Sequence, residues 1–538
     1  MSARRYALAV AVHAALAVAA TTAAAAQAAP DTAPKKAVRA RTTYEDMQMF
    51  SQVLNQIRVN HPDSIDTHEL MMAAVRGMVA AADPHSFVME GVQLTPEKQR
   101  ALEDGKLIFV PIEFQFIEGT PVVTGVAPGT EAAQQDILVG DVLLAADSVA
   151  VNAESEMELQ AALAGKKNTT VRLTFERRRV DGSVVAIERV VRRERVGDNG
   201  TAIPAAFMLD ARTGYVRVTT FDAEHVGDDL HAAIGRLESQ GMQRLILDLR
   251  DNGGGRVKEA AQVAGEFLPS GTIVYTSEGR KHEVTDTGRV SRSFWKSERR
   301  FPLIVMINDG TASASELVAG ALQDHDRALI VGQPSFGKAL LMAGFQLSDG
   351  STIELVIGHV KTPCGRVIQR QYHGMSRREY FRLSHADRDT AGRPWCRTDD
   401  GRVVYGGGGI YPDIRFPWPK PEPLWFDQLS EEGTRLKFLN GYVSANPSLF
   451  PSLDALAKDP RLPPDAVTQL RAFAARDSLE IPAGAEADSI LQRSLVRGYA
   501  RFKWGDAGYY RMAAIFDPEV ARAAASFDKA QQILGAPH

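Results

Sequence analysis

LIVMINDGTASASELVAGALQDHDRALIVGQPSFGK, residues Leu303 to Lys338, changes its apolar period twice within one short stretch. The unbroken apolar run Leu303–Ile307 reads as a strand buried on both faces. A Gly-bearing turn follows, and Ser315–Gln323 then carries apolar residues at helical spacing. Ala328–Val331 is again a buried strand. Strand, helix and strand with short joins make the unit of a layered α/β core. The same alternation extends towards the N-terminus. Tyr215–Thr219 and Arg244–Leu249 read as strands, and Asp228–Gln240 and Val257–Phe267 as helices, so Gly214 to about Pro419 forms one α/β region.

This stretch also carries chemistry. Small residues opening a helix after a tight turn present a hydroxyl well, because first-turn N–H groups lack intrahelical partners and can receive an oxyanion. Ser313 holds that place, although Ser313 and Glu316 also have the spacing of a capping box. Gly332 to Lys338 matches the phosphate-loop pattern G-x-x-x-x-G-K. However, Ala339 stands where a Mg²⁺-binding hydroxyl belongs, and Leu340–Leu347 reads as a strand rather than a helix. A lysine held by glycines between apolar strands is better read as a desolvated amine. Burial disfavours its ammonium form, and a neutral amine can take a hydroxyl proton. Bringing its pKa near 7 takes about 4–5 kcal/mol of differential stabilisation. A Ser–His–Asp alternative would use His325, which lies at a helix end beside Asp324.

Around this centre the chain is long, with 538 residues, 44% apolar and 24% charged, which implies several domains. A formal charge of −4 gives no basic surface for nucleic acid. Arg4 and Arg5, an apolar run from Tyr6 to Ala20 and the small-residue site Ala26-Gln27-Ala28 predict a signal peptide cleaved after Ala28. An uncleaved anchor is the other reading. No later run is apolar for long enough to span a bilayer, so no membrane span is expected after signal removal. Cys364 and Cys396 are the only cysteines, and an oxidising compartment would permit a disulfide between them. No metal or cofactor motif is present, and none is expected. A linker runs over 29–43, and helices are predicted over Tyr44–Ile57 and Leu70–Ala81, the second closed by Asp83-Pro84. Short β-rich runs at Leu107–Phe116, Pro121–Val126, Asp141–Ala146 and Val171–Arg177, with a helix over Glu156–Leu163, make a small β-domain. Residues 421–538 read as helical.

Thr311 to Lys338 resembles the active-site block of the C-terminal processing peptidases, also called tail-specific proteases. In that family the middle serine of an S-A-S-A-S-E type run is the nucleophile and the lysine of a T-F-G-K type run is the base. Those positions are Ser313 and Lys338. Leu247-Asp248-Leu249-Arg250-Asp251-Asn252-Gly253-Gly254-Gly255 resembles its L-R-x-N-P-G-G motif, which makes Gly254 and the Ala314 N–H the oxyanion donors. Arg76–Ser86, Gly140-Asp141-Val142-Leu143, Thr362–Arg366 and Gly408–Asp413 resemble further family segments, so the similarity covers roughly 44 to 415. It implies a multidomain α+β protein: an α/β layered, crotonase/Clp-like peptidase core with an inserted PDZ-like β-domain. The domains expected are a signal peptide (1–28), an N-terminal helical segment (44–93), a PDZ-like domain (94–196), a peptidase domain (197–420, insertion about 367–405) and an α-helical C-terminal region (421–538). Asp324 falls on a family position and is read as supporting.

Two departures stand out. Many relatives carry a base-orienting Gln four residues beyond the lysine; Met342 holds that position here. Relatives also place glycines in the PDZ carboxylate loop, whereas Lys106–Ile112 has none and Pro111 removes a donor. Phe109 and Ile112 are then the candidates for peptide contact. The resemblance implies an exported serine endopeptidase acting on proteins or peptides near their C-termini, with homodimers an expectation and no adaptor identified. The competing reading is an impaired relative that binds peptides without turnover.

Overall fold

The computed structural model describes residues 41–89, 101, 106–117, 120–127, 130–137, 141–151, 153, 156–178, 183–194, 202–291, 298–348, 351–375, 377–382, 389–431, 434–446, 448–476 and 478–535. The expected signal peptide, most of the linker and Gly140 lie outside the described residues. The chain forms two compact units divided between Ala74 and Val75. In the first, helix α1 (Thr43–Asn60) starts at a capping box, with the Thr42 N–H donating to Glu45 at 2.7 Å. Helix α2 (Thr67–Ala82) follows and ends, as predicted, just before Asp83-Pro84.

The second unit begins within α2, at Val75, and continues with β1 (Phe87–Met89). The β-domain comes next, with β2 (Leu107–Ile108), β3 (Ile112–Ile117), β4 (Thr120–Val126), β5 (Val142–Ala146), β6 (Val149–Ala150), helix α3 (Glu156–Leu163), β7 (Gly165–Lys166), β8 (Thr170–Arg178) and β9 (Val184–Arg192). Its main sheet has the order β3-β4-β5-β8-β9, with β6 beside β5. Leu159 and Leu163 of α3 pack with Phe114, Leu173 and Phe175 in one core. Asp141 forms a buried pair with Arg177 at 2.7 Å. The strand expected over Leu107–Phe116 is broken at residues 109–111, where Pro111 fixes φ and offers no N–H to a ladder.

The layered core comprises β10 (Ala205–Met208), β11 (Thr213–Arg217), α4 (Val226–Ser239), β12 (Arg244–Asp248), α5 (Val257–Gly265), β13 (Ile273–Glu278), β14 (Val284–Arg289), β15 (Leu303–Ile307), α6 (Ala314–Asp324), β16 (Leu329–Gly332), β17 (Leu340–Gln346) and β18 (Thr352–Lys361). Helix α7 (Arg377–Arg382), the hairpin β19 (Trp395–Arg397) and β20 (Val403–Tyr405), and β21 (Ile414–Arg415) complete it. One sheet has the order β10-β11-β12-β15-β16-β21, parallel from β11 onward. Its inner strands β11, β12, β15 and β16 are buried on both faces, which is why β12, β15 and β16 read as apolar runs. Along β15, Leu303, Val305 and Ile307 face α4, α5 and α6, while Ile304 and Met306 face the opposite side. Full burial of each such side chain contributes about 1.5–3 kcal/mol. A second, antiparallel sheet joins β1, β18, β13 and β14, with β17 on β18. Residues 87–89 thus belong with the layered core, although the sequence grouped them with the N-terminal helices.

The C-terminal region is helical, as expected: α8 (Leu424–Glu431), α9 (Thr434–Ala445), α10 (Leu453–Lys458), α11 (Asp465–Arg476), α12 (Ala485–Phe516), α13 (Pro518–Ala524) and α14 (Phe527–Leu534). Helices α8 to α12 share a core of their own. After a kink at Trp504-Gly505, the chain returns to the parallel sheet. There Ala514, Val520 and Phe527 cover the face that α4 to α6 leave open. Glu519 accepts from Arg250 at 2.8 Å and from Gln333 at 2.6 Å. None of the helices among the described residues is long and apolar enough to cross a membrane.

Candidate active site

The parallel strands end side by side, and the loops beyond them converge. The Thr311 hydroxyl donates to the Leu249 carbonyl at 2.9 Å, and the Ala312 N–H and Ser315 hydroxyl donate to that of Asn252 at 3.0 and 2.9 Å. These bonds fix the loop after β15 to the loop after β12. Ser313, the residue before α6, is held at φ 54° and ψ −120°. Non-glycine residues rarely adopt this conformation, which costs about 1–3 kcal/mol, and it recurs where a nucleophile is thrust out of a strand–helix turn.

Gly254, at φ +105°, faces this turn; a Cβ there would lie 2.8 Å from the Ser313 Cβ and 3.0 Å from the Ala314 nitrogen. Only glycine permits that approach. The two expected oxyanion donors differ in state. The Ala314 N–H makes no hydrogen bond among the described residues. The Gly254 N–H donates to the Asn252 carboxamide oxygen at 3.0 Å.

Beyond β16 the chain turns back towards Ser313 through Gln333–Lys338, and one buried carboxylate gathers both loops. Glu316 Oε2 accepts the N–H of Ser313 at 2.9 Å and that of Lys338 at 2.8 Å. Its Oε1 accepts the N–H of Gly337 at 2.7 Å and the Ser335 hydroxyl at 2.5 Å. The backbone nitrogens of Ser313 and Lys338 therefore share a single acceptor atom. Burial raises the Glu316 carboxyl above its ordinary range, and the four donors oppose that shift. Burial lowers the Lys338 ammonium below its ordinary value against the opposing charges of Glu316 and Asp222. Asp222, exposed beside the site, is itself raised by desolvation. No hydrogen bond joins the Ser313 hydroxyl to the Lys338 amine among the described residues. The Gly337 and Lys338 N–H groups that a phosphate loop would offer to a nucleotide are directed at Glu316.

The other expected residues are distributed as follows. Asp324, at the far end of α6, pairs with buried Arg366 at 2.7 Å and accepts the Cys364 N–H at 3.1 Å, which makes it structural. His325 bonds Asp399 at 2.7 Å and the Ile273 carbonyl at 2.8 Å. It is separated from Ser313 by the whole of α6, so the Ser–His–Asp alternative is not assembled. Cys364 and Cys396 are joined in a disulfide, with Cα atoms 6.0 Å apart. Met342 lies half-buried in β17, beside a register shift. Phe109 is 46% exposed, whereas Ile112 is 2% exposed in the core of the β-domain, so its side chain presents nothing to a peptide. The first residues of the expected insertion are not peripheral: Gln369 and Arg370 are buried against the Lys338 loop. Sequence reasoning saw Glu316 only as a helix cap. It had no signal for Gln369, which lies in a polar stretch without periodicity.

Comparison with known proteins is consistent with this geometry. Residues 212–376 match peptidase family S41, and residues 91–188 match the PDZ domain. The chain is 30% identical over 338 residues to the carboxy-terminal-processing protease of Bartonella bacilliformis, covering 61% of this chain and 74% of that one. It is 35% identical over 282 residues to the carboxyl-terminal-processing protease of a Synechocystis species, covering 50% of this chain and 62% of that one. Among solved structures it is similar to the photosystem II D1 C-terminal processing protease, with 24% identity, a TM-score of 0.45 and coverage of 69% and 88%.

Proposed function

Because this chain belongs to the carboxyl-terminal-processing proteases of peptidase family S41, we propose that it is an exported serine endopeptidase using Ser313 as nucleophile and Lys338 as base. The observation that carries the reading is the carboxylate of Glu316, which binds the backbone of both residues at once. The Ser313 oxygen bonds to the scissile carbonyl carbon while its proton passes to the neutral Lys338 amine. The resulting oxyanion is received by the Ala314 N–H, and by the Gly254 N–H once it turns from Asn252. Collapse breaks the C–N bond, and Lys338 returns the proton to the leaving amine. Water then adds to the ester carbonyl and gives a proton to Lys338; collapse breaks the C–O bond, and Lys338 returns that proton to the Ser313 oxygen as the acid leaves. Substrates are proteins or peptides cut near their C-termini. The exposed Phe109 and the edge of β3 offer the PDZ domain's peptide contact. The leader sequence and the disulfide support export.

A fluorophosphonate probe tests the reading directly. Labelling is expected at one position per chain, on Ser313, with a rate that rises with pH. The sign follows from the base: Lys338 acts only when neutral, so activity climbs through its lowered pKa and reaches its plateau below the ordinary lysine range. Absence of labelling, or a rate that falls as the amine is deprotonated, would overturn the assignment. An inert chain that still binds peptides would favour the binding-protein reading.

Gly254→Ala supplies a second check. The added Cβ meets Ser313 and the Ala312 carbonyl oxygen at 2.8 and 2.9 Å, at a φ that disfavours alanine. Turnover is expected to fall about 100-fold or more, the scale of losing an oxyanion donor. Parent-like activity would remove Gly254 from the site.

A further inference from the structure

The Lys338 loop is held from two directions, and only one of them belongs to the nucleophile helix. Glu316 takes the N–H groups of Gly337 and Lys338. From the other side, the Gln369 side-chain oxygen accepts the Ala339 N–H at 2.9 Å, and the Arg370 N–H donates to the Gly337 carbonyl at 2.9 Å. The peptide units before and after Lys338 are thus both pinned. The Gln369 amide is used in full, since its nitrogen donates to the Tyr380 hydroxyl at 3.0 Å and the Arg370 carbonyl at 2.9 Å. Tyr380, from α7, is completely buried, and the Arg370 guanidinium lies 4.0 Å over its ring and 4.7 Å over that of Phe336. A carboxamide committed to three bonds inside a packed layer has no freedom to rotate. On the adjoining strand, Met342 brings only a weakly accepting thioether.

We propose that Gln369, locked by Tyr380, is the positioning residue that holds the Lys338 amine at the nucleophile, an inference that rests on the Ser313–Lys338 reading. Its reach is through the backbone: it touches neither substrate nor the reacting atoms. Without its oxygen the Ala339 N–H loses its partner, the loop relaxes towards water and the amine regains solvation. The amine then holds its proton to higher pH.

The test compares turnover of an unstructured protein by the parent, Gln369→Leu, Gln369→Glu and Tyr380→Phe, across pH. Gln369→Leu is expected to lower kcat about 10- to 100-fold with KM within about twofold, and to move the midpoint of the pH profile upward. Gln369→Glu keeps an oxygen for the Ala339 N–H but turns its other oxygen towards the Arg370 carbonyl, so it recovers only part of the loss. Tyr380→Phe removes one hydroxyl from the lock and gives a smaller shift in the same direction; it decides the matter if Gln369→Leu does not fold. An unshifted pH midpoint in the folded variants overturns the proposal, because a merely structural role would change stability alone. A parent enzyme that is neither labelled nor active would instead overturn the Ser–Lys reading.

Discussion

Replacing Ser313 or Lys338 with alanine is expected to remove turnover almost entirely, by about 10⁴- to 10⁶-fold in kcat, while leaving the fold intact. Ser313 is half-buried on a turn whose anchors are made by Thr311, Ala312 and Ser315, so losing its hydroxyl breaks none of them. Lys338→Ala removes a partly buried amine but keeps the backbone N–H bonded to Glu316. The two residues perform one proton transfer, so the double variant should be no slower than either single variant. The measurement is cleavage of an unstructured protein alongside a thermal melt. If Ser313→Ala cleaves as fast as the parent, the nucleophile has been misassigned. If Lys338→Ala alone remains fast, the base is another group.

Glu316→Gln is the second large effect, and it differs in kind because Glu316 never touches the substrate. An amide of the same shape turns an NH₂ towards donors that a carboxylate oxygen accepted, whichever way it is placed. Either both the Ser313 and Lys338 N–H groups or the Gly337 N–H then face another donor inside a buried site, since only the Ser335 hydroxyl can turn to accept. Losing buried charge-assisted bonds costs about 1.5–3 kcal/mol each, so the melt should shift clearly downward. The nucleophile and base backbones would also separate. We expect kcat to fall about 100- to 10,000-fold with little change in KM, the signature of lost transition-state geometry. Glu316→Asp, a shorter carboxylate, should lie between. A Glu316→Gln enzyme with parent-like kcat would show that the shared acceptor is not what aligns the pair.

The sequence revealed β11, β12, β15, β16 and α4 to α6 with bounds near the true ones, because those strands are buried on both faces and α4 and α5 are amphipathic. Leu303–Ile307 and Glu156–Leu163 match without adjustment. Strands with mixed exposure escaped. In β9 the buried face carries Arg189 and the exposed face Val184, Ala186 and Val190, and in β18 most side chains are only half-buried, so neither sequence shows a clean period of two. The meeting of the Ser313 and Lys338 loops was legible because both residues lie close in sequence to the strands that present them. The parts contributed from a distance were not: Gln369 reaches the base loop from a polar loop, and its role depends on a buried tyrosine further along. Ile112 shows the opposite failure. An apolar residue beside an exposed Phe109 looked available, but strand pleat alternates faces and turned it into the core.

The Glu519 contacts set an order in time. The loops that carry Gly254 and Lys338 are tied, through Arg250 and Gln333, to a helix near the far end of the chain. A chain made and moved N-terminus first reaches the second face of its central sheet only when the segment Pro518–Leu534 has emerged. Until then the strands beneath Ser313 and Lys338 have one bare apolar flank and untethered tips, so the two loops can be completed only after that segment has arrived.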